Sequence, residues 1–216
     1  VTGANGFIAN YALFQARFKR DPATGNIVAI DTSWLNQGNT ATQGLELSLR
    51  NGFNGADGRF TTAFDVSYLL KKKSRLIASA PFGASEVGAF TRSGDQGVRW
   101  KHSLSLTYAR GDWSSTVTHV YRSGYRDAVL PGVASGAVSP VNWNPRVAAY
   151  QVMNVSVAYS GIKDLTLTAG IKNLLGEDPP FSAAYDTNTG AGSSWEPRVA
   201  DPRGRAYTLR MEYRFF

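Results

Sequence analysis

Apolar and polar residues alternate with a period of two along most of this chain, and this pattern limits its fold more than any other feature. The pattern is clearest in three segments, GLELSLR at 44–50, HSLSLTYA at 102–109 and LTLTAGIK at 165–172. Successive side chains of a β-strand point to opposite faces, so these segments fit strands and fit the period of a helix badly. The whole pattern predicts seven strands, at about 40–51, 59–70, 99–110, 113–125, 149–160, 164–173 and 205–215.

Alternation alone leaves open which face of each strand meets water. In a soluble sandwich the apolar faces pack on each other, whereas in a membrane barrel they meet lipid and the polar faces line a wet interior. Here the polar faces consist mainly of Ser, Thr, Asn and Arg, and aromatic residues such as Tyr108, Trp113 and Tyr159 lie near strand ends. Both features favour the membrane, because aromatic rings with a polar tip collect at the headgroup level.

The connections between strands alternate in length. Residues 111–112 and 160–164 form short connections, whereas 71–98, 126–148 and 174–204 are long and rich in Gly, Pro, Ser and Asn. Outer-membrane barrels have short turns on the periplasmic side and long loops outside. We therefore predict an all-β fold, a transmembrane antiparallel β-barrel with long extracellular loops and short periplasmic turns.

Composition narrows the choice of partners and sites only in part. The 23 basic residues outnumber the 16 acidic ones, which gives a net charge of +7 and is compatible with nucleic acid, anionic lipid headgroups or acidic ligands. The absence of cysteine excludes a disulfide framework and thiolate metal ligands. The sequence contains no run of 18 apolar residues, so no membrane-spanning helix is predicted. Any export signal is expected to lie outside this sequence.

The final segment, GRAYTLRMEYRFF at 204–216, resembles the C-terminal assembly signal of bacterial outer-membrane proteins. In that signal a terminal aromatic residue follows apolar residues at alternate positions. The matching residues are Tyr207, Leu209, Met211, Tyr213 and Phe215, and Phe216 extends the chain one residue further. The resemblance implies the barrel-assembly machinery as a partner.

Three further segments resemble TonB-dependent outer-membrane receptors. AGIKNLLGEDPPFS at 169–182 matches a penultimate-strand motif of that family at Gly170, Asn173, Leu174, Leu175 and Pro179. The family's final strand begins with Gly-Arg, which stands here at 204–205, and residues 20–51 match an earlier stretch at Asn36, Gly44, Leu45 and Glu46. The resemblance therefore covers nearly the whole chain, in order and in spacing.

The resemblance implies that residues 1–216 are the C-terminal part of a larger barrel of about 22 strands. An odd number of strands supports this, because bacterial single-chain barrels have even numbers. The plug, the TonB box and the signal peptide are expected outside the sequence, and residues 1–26 are expected in an extracellular loop with a hairpin tip at 21–26. The implied function is TonB-driven uptake of a siderophore, vitamin or carbohydrate across the bacterial outer membrane, without catalysis, cofactor, metal site or nucleic acid.

Residues in or near the long connections are the candidate ligand contacts: Trp100, Trp143, Tyr185 and Trp195 as aromatic platforms, with Arg146 and Arg198 for anionic groups. For each of them an interfacial or loop-packing role is the alternative. Charged residues on the polar faces are candidates for contact with the plug or for pairing along the wall: Arg50, Asp65, Lys172, Arg210, Glu212 and Arg214. The basic run at 71–75 is predicted to lie just beyond a strand, where it suits lipopolysaccharide phosphates. His102 and His119 are expected to have structural roles.

Two alternatives of other classes remain open at this point. A complete outer-membrane barrel of about eight strands, with a structural or adhesive role, needs an eighth strand within residues 8–19. A soluble β-sandwich that binds carbohydrate or nucleic acid needs the apolar faces buried together, among them Leu47, Val66, Leu106, Val155 and Leu167. A hydrolase is poorly supported, because Ser93 and Asp95 lack a histidine partner and a strand-to-helix elbow.

Overall fold

The computed structural model describes residues 4–33, 38–55, 57–91, 96–139, 144–183 and 194–215. The chain forms two compact units, one of residues 1–41 with 73–85 and the other of residues 42–72 with 86–216. Within the described residues no helix is long and apolar enough to cross a membrane.

The smaller unit is built on a short helix, turns and a hairpin. Its elements are α1 (Ala4–Ala9), two 3-10 turns (Tyr11–Leu13 and Gln15–Arg17), β1 (Phe18–Arg20) and β2 (Ile27–Ile30). Phe7, Phe14 and Phe18 are buried together, with Phe7 and Phe14 edge to face at 5.1 Å between ring centroids. The Asp21 amide donates to the Asn26 carbonyl at 2.9 Å, which closes the hairpin at the predicted tip.

A seven-stranded antiparallel sheet dominates the rest of the chain. In chain order the elements are β3 (Asn39–Asn54), β4 (Arg59–Arg75), β5 (Trp100–Arg110), β6 (Trp113–Arg122), β7 (Tyr125–Arg126), α2 (Pro131–Ala134), β8 (Arg146–Val147), β9 (Tyr150–Ile162), β10 (Leu165–Lys172) and β11 (Ala206–Tyr213). The sheet runs β3-β4-β5-β6-β9-β10-β11, so its strands follow the chain order, while β7 and β8 form a separate pair. The seven predicted strands are confirmed.

The basic run at 71–75 is placed differently from the prediction, because β4 continues through it to Arg75. Lys72 lies 3.8 Å from Glu86 in an ion pair, and Arg75 donates to the Asn39 side chain at 3.3 Å. These residues therefore extend a strand and do not form a solvated segment beyond it.

The strand register puts apolar and polar side chains on opposite faces of the sheet. Leu106 pairs with Val117, Val117 with Val155, and Val155 with Ile171, so one face is apolar across four strands. Leu47 is 57% exposed and Leu106 is 46% exposed, and Val66, Val155 and Leu167 are each partly exposed. The sandwich hypothesis is therefore wrong, because the apolar faces do not form a core.

Residues 8–19 do not supply the strand that a small complete barrel needs. They fall mainly in α1 and the two 3-10 turns, and only 18–19 belong to β1. Within the described residues the sheet is open, with β3 and β11 at its two edges.

Aromatic rings cluster at the short-turn end of the apolar face. The ring centroids of Phe60 and Tyr108 lie 4.7 Å apart, those of Trp113 and Tyr159 lie 4.6 Å apart, and Phe53 stacks on Phe60 at 5.1 Å. Aromatic residues collect in this way where a membrane meets water. The short turn after β5 uses Gly111 at φ 55°, a left-handed conformation that glycine adopts without steric cost.

Candidate functional site

The polar face of the sheet is a wall of hydroxyl groups crossed by ion pairs. Ser105 and Thr118 share a hydrogen bond of 2.8 Å between β5 and β6, and Thr107 and Thr116 share another of 2.8 Å. Arg50 on β3 binds both carboxylate oxygens of Asp65 on β4, at 2.9 and 2.7 Å. The prediction that charges on this face pair with each other is thereby confirmed for Arg50 and Asp65.

A depression of about 570 Å³ lies on this polar face near its long-loop end. Its polar lining includes Glu46, Ser48, Asp65, Ser67, Lys101 and Ser103. Hydroxyl groups and charges of both signs suit a hydrated surface that a polar solute or another polar segment can contact.

The bases of three long loops meet at one end of the sheet, and short β pairings join two of them. Arg126 of β7 pairs with Arg146 of β8. On its other side, the Arg126 amide donates to the Gly88 carbonyl, and the Phe90 amide donates to the Arg126 carbonyl, both at 2.8 Å. An apolar cluster lies within the same region and comprises Val98, Tyr125, Val147, Tyr150, Val199 and Ala200. The loops therefore begin from a packed base, which we call the loop platform.

Asp127 ties two of these loops together. Its carboxylate is buried and accepts hydrogen bonds from the Ser182 hydroxyl at 2.9 Å and the Ala183 amide at 2.6 Å. The Ala128 amide donates to the same carboxylate at 2.8 Å. A buried carboxylate is tolerated when several donors satisfy its oxygens, so Asp127 holds the segment at 182–183 in place.

Glu196 and Arg198 form a second clamp. The guanidinium binds both carboxylate oxygens, at 2.7 and 2.8 Å, and also donates to the Thr91 carbonyl at 2.7 Å. Burial alone would raise the pKa of Glu196, but its hydrogen bonds and ion pair with Arg198 outweigh burial and lower that pKa. The carboxylate is therefore ionised at neutral pH, and the clamp joins loop segments more than 100 residues apart in sequence.

Two further groups of the loop platform have shifted pKa values. Burial raises the pKa of Tyr125 to about 12, so its phenol stays protonated at physiological pH. Hydrogen bonds from Arg203 lower the pKa of Asp201 to about 2. The Asp201 carbonyl also accepts a bond of 3.2 Å from the Tyr150 hydroxyl, which connects this loop to the top of β9.

Asn173 directly follows β10 and starts the longest loop. Its backbone is left-handed, with φ 51°, and its side chain is buried. The side-chain amide donates to the Glu177 carbonyl at 2.8 Å and accepts from the Glu177 amide at 2.9 Å. An asparagine tolerates this backbone conformation and bonds to both the N–H and the C=O of one residue, which gives a physical reason for the Asn in the motif at 170–175.

The structure distributes the candidate ligand residues over different environments. Trp143 and Tyr185 lie outside the described residues, and Trp195 is a partly exposed loop residue. Arg146 is exposed in β8, whereas Arg198 is engaged in the Glu196 clamp. Trp100 is not in a loop: it is the first residue of β5 and lies on the apolar face opposite Tyr68. A ligand-binding role stays a prediction for all six residues.

Two residue pairs were not anticipated from the sequence. Arg126 lies directly opposite Arg146, and within the described chain neither guanidinium is paired with a carboxylate. His102 and His119 meet, with 3.1 Å between a ring nitrogen of each. The histidine pair could have been found from the sequence by counting back from the two-residue turn at 111–112. In such a hairpin two residues lie opposite each other when their numbers add up to 223, which makes these two histidines diagonal neighbours.

The final strand places the predicted assembly-signal residues on one face of the sheet. Tyr207, Leu209, Met211 and Tyr213 lie on the apolar face of β11, and Phe215 continues the series beyond it. All five are more than half exposed on this edge strand.

The family model for "TonB dependent receptor-like, beta-barrel" matches residues 2–174. The chain belongs to the TonB-dependent receptor family. These receptors are transporters of the bacterial outer membrane and not enzymes. The apolar face of this TonB-dependent receptor chain is therefore the face toward lipid, and its polar face lines the barrel interior.

A solved structure of a receptor supports this fold. The chain resembles a mutant of the ferric enterobactin receptor PfeA from Pseudomonas aeruginosa with a TM-score of 0.51 and 19% identity, over 80% of this chain and 22% of that one. It also matches the copper transporter OprC with a TM-score of 0.41 and 14% identity, over 82% of this chain and 29% of that one. This receptor chain thus spans less than a third of the length of either structure. No curated protein matches it.

Proposed function

We propose that this chain is the C-terminal part of the barrel of a TonB-dependent receptor that takes up a nutrient into the periplasm. The observation that carries the proposal is the direct connection between the loop platform and the polar wall. The loop platform lies at the long-loop end of the sheet, and Arg122 joins it to the wall by donating to the Val199 carbonyl at 2.6 Å. A solute held at the loops therefore meets a hydrated wall below them.

The proposed cargo is a small molecule of the siderophore, vitamin or carbohydrate type. TonB, energised by the inner membrane, is the proposed driver of uptake and acts through a plug and TonB box outside residues 1–216. The proposed plug contacts are the charged wall residues, among them Lys172, Arg210, Glu212 and Arg214. The barrel-assembly machinery and lipopolysaccharide complete the proposed partners.

The paired arginines of the loop platform favour an anionic group on the cargo. Like charges directly opposite each other on paired strands repel, so Arg126 and Arg146 destabilise their own pairing unless an anion lies between them. Two guanidiniums side by side suit a carboxylate or phosphate, which each can bind through two N–H groups. In contrast, the guanidinium of Arg198 is already bound to Glu196.

Uptake by cells tests this function directly. A strain that lacks the gene is complemented with the full-length gene, and uptake of radiolabelled ferric siderophores, cobalamin and oligosaccharides is measured with and without a functional TonB. We expect one cargo class to enter only when both the receptor and TonB are present. TonB-independent entry of every cargo, or no difference between the deleted and complemented strains, contradicts the proposal.

Matched arginine variants test the cargo's charge. For an anionic cargo, Arg126→Gln and Arg146→Gln are each expected to weaken binding about ten- to hundredfold, since a charge-assisted hydrogen bond contributes about 1.5–3 kcal/mol. Arg203→Gln serves as the control, because Arg203 is an exposed loop arginine already paired with Asp201 at 2.6 Å. Equal losses in all three variants contradict a specific role for the arginine pair.

A further inference from the structure

The pairing of β7 with β8 in the loop platform places two positive charges directly opposite each other. It consists of only two residue pairs, Tyr125 with Val147 and Arg126 with Arg146. Tyr125 and Val147 are buried on one side, where they belong to the apolar cluster of the platform, and both arginines are exposed on the other side. The first residue pair therefore favours the pairing of the two strands, and the second opposes it.

The charge repulsion is permanent but moderate. A guanidinium stays charged at every physiological pH, so Arg126 and Arg146 repel each other until an anion or salt screens them. Because both side chains are exposed, the solvent also weakens the repulsion. From the usual size of cross-strand pair interactions, we expect the repulsion to raise the population of the open pairing by a factor of up to about 5.

Arg126 also joins a third segment to the two strands. Its amide donates to the Gly88 carbonyl, and its carbonyl accepts from the Phe90 amide, both at 2.8 Å. The segment at 88–90 therefore lies along β7, opposite the side that pairs with β8. The stability of this contact depends on Arg126 keeping the extended conformation that the pairing with β8 supports.

Asp127 joins a fourth segment at the next position of the chain. Its amide donates to the Pro145 carbonyl at 2.7 Å, which continues the contact between the two strands. Its carboxylate accepts from the Ser182 hydroxyl at 2.9 Å and the Ala183 amide at 2.6 Å. Closure of β7 on β8 thus fixes four segments at once: 88–90, 125–127, 145–147 and 182–183.

We propose that an oxyanion of the cargo closes the loop platform by bridging Arg126 and Arg146. This proposal rests on the proposed function, since the bridging group is the anionic group of the cargo, and it adds a regulatory role to the arginine pair. A carboxylate or phosphate between two guanidiniums accepts charge-assisted hydrogen bonds from both and replaces their repulsion by attraction. The anion binds the closed pairing better than the open one, so it shifts the population toward the closed platform.

Hydrogen exchange of the full-length receptor in detergent tests this closure. Citrate and inorganic phosphate are the probes, each compared with sodium chloride at the same ionic strength so that general screening is matched. We expect both probes to slow exchange in peptides covering 88–91 and 125–128, because the Phe90, Arg126 and Asp127 amides open less often. A peptide within β5 is expected to exchange at the same rate with and without the probes.

Arg146→Gln distinguishes this device from a simple binding site. In the receptor without citrate or phosphate, the variant removes the repulsion, so we expect exchange at 125–128 to become slower than in the wild type by a factor of up to about 5. The two probes are expected to slow exchange no further in this variant. A residue that only bound the anion, or only supported the loop, would leave exchange unchanged or make it faster.

Arg203→Gln is the matched control, since Arg203 is an exposed loop arginine paired with Asp201. It is expected to exchange at 125–128 and to respond to citrate like the wild type. Heat-modifiable gel mobility checks that each variant is folded, and Arg126→Gln, which removes the other charge of the pair, is measured if Arg146→Gln does not assemble. The proposal is overturned if neutralising one arginine leaves exchange at 125–128 unchanged or faster, or if citrate slows exchange equally in the wild type and the variant.

Cargo uptake by cells is measured on the same variants, which separates this proposal from the transport proposal. Slower exchange in Arg146→Gln without an added anion supports the closing device whether or not any tested cargo enters the cell. Normal TonB-dependent uptake combined with unchanged exchange in that variant overturns the device and leaves the transport proposal standing.

Discussion

Replacing Asn173 tests how the turn after β10 is stabilised. In Asn173→Ala, the Glu177 amide and carbonyl lose the two side-chain bonds of 2.9 and 2.8 Å, which costs about 1–3 kcal/mol at 0.5–1.5 kcal/mol per bond. An alanine at φ 51° adds about 1–2 kcal/mol, because its Cβ crowds the following carbonyl. The total is about 2–5 kcal/mol of local stability.

Asn173→Gly separates the two contributions. Glycine loses the same hydrogen bonds but adopts the left-handed backbone without crowding, so its cost is about 1–3 kcal/mol. The alanine variant is therefore expected to be about 1–2 kcal/mol worse than the glycine variant, which is a factor of about 5–30 in the population of the open turn.

Native-state hydrogen exchange measures this opening. Mass spectrometry of the peptide covering 173–183 in the detergent-solubilised receptor reports the local opening free energy, and a peptide within β5 serves as an internal reference. We expect the 173–183 peptide to exchange fastest in the alanine variant, more slowly in the glycine variant and most slowly in the wild type. The β5 peptide is expected to exchange at the same rate in all three. Equal exchange in the alanine and glycine variants would refute the role of the left-handed backbone, and wild-type exchange in both would refute the role of the side-chain bonds.

Other perturbations probe the sheet faces and the loop platform. Leu104→Arg, at the middle of the lipid face, is expected to cost about 2–4 kcal/mol in chemical unfolding from lipid vesicles, whereas Ser105→Arg on the interior face costs only about 1 kcal/mol for its lost hydroxyl bond. Asp127→Ala is expected to raise protease cleavage near 182–183, because the Ser182 and Ala183 donors lose their acceptor. The depressed pKa of Glu196 means that its clamp is fully present above the ordinary value of 4.5 and is lost as pH falls through the lower folded value. Exchange near Glu196, corrected for intrinsic rate, is therefore expected to be constant from pH 7 to 5 and to rise at lower pH, and Glu196→Gln removes this dependence.

The sheet was predictable from the sequence because its pattern is local. Alternation fixes which residues share a face, and the short turn at 111–112 fixes the register between β5 and β6, so their pairing follows from counting. The ends of strands were less predictable. β4 continues through 71–75 because Arg75 and the Lys72–Glu86 pair hold it there, and charged residues do not signal this continuation in a linear pattern.

The loop platform was not predictable, because its contacts join distant parts of the chain. The Asp127–Ser182 bond spans 55 residues, and the Arg198–Thr91 bond spans 107. No sequence periodicity encodes such pairs. From the sequence alone, a loop carboxylate that is buried and hydrogen-bonded cannot be told apart from one that is exposed to water. For the same reason the charge of Arg198 alone predicts a ligand contact, although Glu196 lies two residues away and binds it.

Spin labelling along β5 tests the orientation of the sheet most directly, and the chain's lack of cysteine leaves no background label in residues 1–216. Single cysteines from Lys101 to Ala109 are labelled in the membrane-embedded receptor, and collision rates with oxygen and with a water-soluble nickel chelate are measured. We expect oxygen accessibility to peak at even positions, which face lipid, and nickel accessibility to peak at odd positions, which face the interior. Peaks in the opposite phase, or no alternation between neighbouring positions, would contradict the assignment of the apolar face to lipid.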